Sequence, residues 1–163
     1  MKKTADLNQF LDTMMPMHLL VAATGHISHV GPTLGKLVTE DLVGRRFLEV
    51  FDIRRPRSAP SMAGLLSLAG RPLHLQFRGG NHTSFKGVLV PQPDNKGVIL
   101  NLSFGISVID AVGHYGLTNA DFAPTDLTVE MLYLVEAKSA VMEESRDLNR
   151  SEERRVGKEC RSR

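Results

Sequence analysis

Leu73, Leu75 and Phe77 alternate with His74, Gln76 and Arg78, and this alternation constrains the fold more than any other stretch of the chain. In an extended backbone successive side chains point to opposite faces, so the run reads as a strand with one apolar face. Gly79-Gly80-Asn81 comes next, residues that accept the positive φ of a tight hairpin turn. A second strand is expected from about Thr83 to Val90. A looser turn over Pro91–Gly97 and a third strand from Val98 to Ile106 complete an antiparallel meander.

Upstream, Leu7, Phe10, Leu11 and Met14 fall at helical spacing, which predicts a helix over residues 4–14 with Thr4 as N-cap and Pro16 as its stop. Met17–Thr24 reads as a strand with Met17, Leu19, Val21 and Ala23 on one face. Gly25 then turns the chain into a short second strand, His26–Val30. Short helices are expected around Leu34–Val38 and Ala59–Leu68, with Pro60 in the first turn of the latter. Two strands, short helices and a three-strand meander make five strands in all, and the pattern alone supports an α+β fold with an antiparallel sheet and no more.

The end of the chain differs in character. Asp121–Thr125 reads as a loop ending in an N-cap, followed by a helix over residues 125–149. Leu127, Met131, Leu134, Lys138, Val141, Ser145 and Leu148 recur on alternating four- and three-residue steps, the seam of a coiled coil. All four d positions are apolar, whereas Lys138 and Ser145 make two of the three a positions polar. A lysine at an a site favours two strands, so a parallel dimer is expected. Val135 and Met142 widen the stripe, which leaves packing of this helix on its own domain as the alternative.

Within this order of elements, Phe47, Phe51, Ile53, Arg55 and Pro56 form a Phe-x-x-x-Phe-x-Ile-x-Arg-Pro segment. That segment, together with the strands and long helix downstream of it, resembles the heme-NO-binding-associated domain of soluble guanylate cyclases and their bacterial relatives, over roughly Phe10 to Leu148. The resemblance implies a PAS-like sensory and dimerisation domain at residues 17–110, after an N-terminal helix at 1–16. A connector at 111–124 and a coiled-coil signalling helix at 125–149 would complete it. It also implies a homodimer or heterodimer, a heme carried only by a separate heme-NO-binding partner domain, and an output guanylate cyclase, with a bacterial diguanylate cyclase as the alternative. The connector Ala111–Phe122 departs from the animal pattern, which leaves the cyclase type open. A PAS-like interior can hold a small ligand, and Phe47, Phe51, Leu65, Leu75 and Phe104 would line such a pocket or fill it. A packed interior is the expectation.

Residues 150–163 resemble the conceptual translation of a sequencing-library adapter. They hold six basic and three acidic residues, so the overall +2 becomes −1 for residues 1–149. Basicity therefore gives no reason to expect a nucleic-acid partner. The natural protein is expected to continue differently beyond Asn149, which makes this chain an N-terminal fragment. The single cysteine, Cys160, lies in that tail, so thiolate and disulfide chemistry have no candidate elsewhere. No apolar run approaches the roughly 18–20 residues of a membrane span, and the N-terminus is polar, so a cytoplasmic protein is expected.

The chain offers little for catalysis. Ser58, Ser61 and Ser84 lack a nucleophile elbow, Asp41, Glu49, Asp52 and Asp110 are scattered, and no phosphate-loop pattern occurs. The metal-binding carboxylates of a nucleotide cyclase are not recognisable, and the fragment is expected to be non-catalytic. A weak intrinsic cyclase, a heme- or flavin-binding sensor and a free-standing scaffold remain as rivals. Among the histidines, His18 and His74 point away from the core faces of their strands. His26 and His29 lie three apart on one strand and so face opposite sides. No metal or cofactor is expected on the fragment itself. Arg54, Arg55 and Arg57 beside Pro56 form either an anion site or, as expected here, a structural brace.

Overall fold

The computed structural model describes residues 2–162, and side chains from Leu7 onward. The chain divides into two compact units, with the boundary between Thr125 and Asp126. The first opens with helix α1 (Lys2–Met14), which places Thr4 inside the helix rather than at its cap; the Thr4 side chain lies outside the described residues. Pro16 ends that helix as its missing N–H requires. Strands β1 (His18–Ala22) and β2 (Ile27–Val30) follow, then helices α2 (Pro32–Lys36) and α3 (Phe47–Val50). Next come β3 (Phe51–Arg55), α4 (Met62–Leu66), β4 (Leu73–Phe77), β5 (Ser84–Pro91), β6 (Gly97–Ser103) and α5 (Val108–Tyr115).

The six strands form one sheet in the order β2-β1-β6-β5-β4-β3, every neighbouring pair antiparallel. The expected meander is β4–β5–β6, and the first hairpin joins it through β1 against β6. The sheet has six strands, not five. The extra one, β3, pairs Phe51 with Phe77 and Ile53 with Leu75 at the sheet edge. Its residues Phe-Asp-Ile-Arg-Arg do alternate at first, but the run is short, charged at three of its five positions and followed by Pro56. Such a segment becomes a strand only when a neighbour supplies the ladder, and charged residues suit an exposed edge.

The interior obeys the alternation. Leu73, Leu75 and Phe77 are buried while His74 is exposed. Leu19 and Val21 are fully buried, but so are His18 and nearly all of Leu20, so β1 is covered on both faces. Six of the seven phenylalanines form one chain of ring contacts through Phe47, Phe51, Phe77, Phe85, Phe104 and Phe122, with centroids 4.9–6.5 Å apart. The stretch expected as a connector belongs to this unit. It includes the greater part of α5, and Ala111, Leu117, Asp121 and Phe122 are buried.

The second unit is a single helix, α6 (Leu127–Arg161), of 35 residues. Asp126, not Thr125, caps it, its carboxylate accepting from the Thr128 N–H at 2.9 Å. The helix runs through residues 150–161 without a break, as a stretch rich in Glu, Arg and Lys readily does. Among the described residues, no helix is long and apolar enough to cross a membrane.

Candidate functional site

The family-like segment is structural in its aromatic half. Phe47 and Phe51 are buried and stacked at 5.1 Å, and Ile53 is half-buried on the edge strand. Arg55 is exposed and Pro56 half-buried. The carboxylate brace belongs to neighbouring arginines. Asp52 lies between the Arg54 Nε, at 3.2 Å, and the Arg78 Nη2, at 3.5 Å, while Arg54 also donates to Gln76. Leu65, Leu75 and Phe104 are buried with Phe47 and Phe51. Phe47 and Leu65 also border a cleft of about 290 Å³ with Thr24, Arg46, Glu49 and Met62.

On α6, taken by itself, no residue is buried. Leu127, Leu134, Val141 and Leu148 are each more than half exposed, and Met131, Val135 and Met142 lie beside them on the same stripe. Lys138 interrupts the stripe near its middle.

A second cluster joins α1 to the sheet. His18 opens β1 and His29 lies on β2 opposite Leu20, so the two imidazoles occupy the same sheet face, with ring centroids 5.2 Å apart. Asp12, near the end of α1, accepts from or pairs with His29 Nε2 at 2.8 Å and lies 3.8 Å from His18 Nε2. The ligating atoms of all three lie within 4.8 Å of one another. His18 has no solvent exposure, and its Nδ1 is hydrogen-bonded to the Met15 carbonyl at 2.7 Å. A carbonyl only accepts, so Nδ1 carries the proton and Nε2 presents a lone pair. Burial lowers the His18 pKa, as does His29, against the raising effects of the Met15 hydrogen bond and Asp12.

The backbone around His18 is tightly held. Gly31 N–H donates to the His18 carbonyl at 2.8 Å, and a Cβ on Gly31 would lie 2.5 Å from the Pro16 carbonyl and 2.8 Å from His18 Nδ1. Only glycine fits there. Spacing within one strand addresses only His26 and His29, and His26 precedes β2 and is hydrogen-bonded to Thr24. Such spacing says nothing of His18, which reaches His29 across the ladder, and Asp12 carries no sequence signal beyond its place on an amphipathic helix.

Asp121 is the other buried ionic centre. Its carboxylate accepts from the Thr118 N–H at 2.8 Å, a capping box, and pairs with the Lys36 ammonium of α2. Burial would raise its pKa, but the hydrogen bonds from Lys36 and Thr118 outweigh that and hold it below the ordinary value near 3.8. The depressed carboxyl therefore stabilises the fold fully above the ordinary value, and that stabilisation fades as pH falls through the depressed one. Asp121→Asn is expected to cost about 1–3 kcal/mol at neutral pH and to lose less further stability than the parent below about pH 4. Urea denaturation at both pH values reads this, and parallel acid losses in the two proteins would refute it.

No protein-family model matches the chain, and a search of curated proteins finds no match either.

Proposed function

We propose that the chain is a PAS-like dimerisation and signal-transmission module of a cyclic-nucleotide signalling protein of the guanylate cyclase type. The observation that carries this reading is the unburied apolar stripe of α6. A helix of 35 residues extends about 52 Å, and its stability in water depends on covering such a stripe. Heptad spacing, with Lys138 at an a position, favours one parallel partner, either a second copy or a close homologue. The sheet supports the PAS-like part: two opening strands and a closing meander share one sheet through β1 and β6, with β3 added at the edge. A two-stranded helical connector has alternative registers, and a bistable element of that kind is what transmission to an output domain needs. The cytoplasmic location and the heme-NO-binding partner domain belong to the same proposal.

Analytical ultracentrifugation tests it. The parent chain is expected to sediment as a dimer at tens of micromolar. Leu134→Lys removes one buried leucine from each strand, about 3 kcal/mol or more in total, and is expected to weaken the dimer at least about 100-fold. The far-ultraviolet signature of the sheet unit should be unchanged. A parent that sediments as a monomer, or a dimer indifferent to Leu134→Lys, removes the reading.

A further inference from the structure

We propose that Asp12, His18 and His29 form a binding site for a divalent transition metal of the zinc class, and that the metal pins α1 to the sheet. Two imidazoles and a carboxylate, with a fourth position left for water, are a donor set that zinc and its neighbours accept. Calcium and magnesium prefer all-oxygen sites. Ligand atoms around a tetrahedral metal with bonds of about 2.0–2.1 Å lie roughly 3.3 Å apart. The separations here, 2.8 Å for Asp12–His29 and 3.8 Å for Asp12–His18, bracket that spacing.

The independent observation is the orphaned nitrogen. His18 Nε2 is buried without a hydrogen-bond partner, although an unsatisfied buried polar atom ordinarily destabilises a fold. The hydrogen bond from Nδ1 to a backbone carbonyl is the arrangement that orients a metal-ligating imidazole and fixes its tautomer. Among the described residues, the only other buried side-chain polar atom without a partner is Asn8 Oδ1. Asn8 lies one turn before Asp12 on the same face of α1, and an oxygen acceptor there suits a metal-bound water. Binding exchanges the Asp12–His29 hydrogen bond for coordination: the His29 proton moves through solvent from Nε2 to Nδ1, so the ring stays neutral, and both groups ligate as lone-pair donors.

Two ligands come from adjacent strands and the third from α1, so the set is complete only with the helix docked. Occupancy and docking are therefore linked, and metal binding stabilises the docked state by mass action. The site involves no residue of α6 and stands independently of the dimer.

The test uses the full chain without an affinity tag, in a Cys160→Ser background, because the exposed Cys160 is a potential ligand of its own. Calorimetric titration with Zn²⁺ is expected to show one equivalent bound at micromolar affinity or tighter. Co²⁺ should give the visible absorption of a four-coordinate N/O site, and Zn²⁺ should increase amide-exchange protection of α1. Asp12→Ala and His29→Ala, both partly exposed positions, are each expected to weaken binding at least about tenfold with the fold retained by circular dichroism. His74→Ala, at an exposed position outside the cluster, should change nothing. Absence of binding, binding only at millimolar metal, equal affinity in the Asp12 and His29 variants, or binding without added protection of α1 would each overturn the proposal.

Discussion

Phe51→Ala is expected to lower the stability of the sheet unit by about 3–5 kcal/mol, the range for removing a ring from a closed interior. Phe51 is fully buried, with the rings of Phe47, Phe77 and Phe85 at 5.1, 4.9 and 6.1 Å. It therefore sits where α3, the edge strand β3, β4 and β5 converge. Truncation leaves a cavity bounded by three rings that are themselves held by the sheet, so little of the gap can close. Since a domain's total stability is of order 5–15 kcal/mol, the variant should be marginal at best. Urea denaturation monitored by circular dichroism reads the shift in midpoint. A loss below about 1 kcal/mol would mean that the phenylalanine chain yields easily, as expected of a lined pocket and not of a filled core.

Gly97→Ala is the second change with a large expected effect. Gly97 opens β6 at φ +128°, and a Cβ built there lies 1.9 Å from the Val21 carbonyl oxygen, which belongs to the backbone of β1. A side chain could swing aside, but a carbonyl held in the β1–β6 ladder cannot, and the φ value is itself one that L-residues rarely adopt. The expected cost is about 3 kcal/mol or more, with amide protection lost first where β1 meets β6. Gly113→Ala provides the internal comparison. Gly113 lies in α5 with open space around its Cβ position, so alanine there should be neutral or stabilise by up to about 1 kcal/mol. Equal effects of the two substitutions would show that the close approach of β6 to β1 does not constrain the sheet.

The loop between β5 and β6 illustrates the limits of sequence. Proline, asparagine and glycine over Pro91–Gly97 announce a turn, because those residues carry unusual backbone preferences wherever they occur. That Gly97 must also be glycine to let β1 pass is invisible until the first hairpin is placed beside β6. The same division appears at β3 and α5. Phe51 and Ile53 alternate with Asp52 and Arg54, yet five residues are too few to outweigh their charge. Val108–Tyr115 spans the end of the expected PAS-like domain and the start of its connector, and the burial of Val108 and Ala111 depends on the surface they pack against.

The candidate sites divide in the same way. The α6 stripe is legible because heptad spacing is a local property of one helix, and the structure leaves every residue of that stripe unburied on α6 itself. The histidine pair is not. His26 and His29 are close in sequence, whereas the neighbour of His29 in space is His18, brought alongside by the β1–β2 pairing, and Asp12 is added from a helix.

Residue order by itself determined which segments extend, which coil, where they turn and which faces are apolar, because these depend on side-chain periodicity and on backbone preferences within a few positions. Only the tertiary structure decided the sixth strand, the glycine that β1 grazes and the convergence of Asp12, His18 and His29. Each of these depends on which distant elements become neighbours, and loop closure discriminates too weakly among pairings for local sequence to announce the outcome.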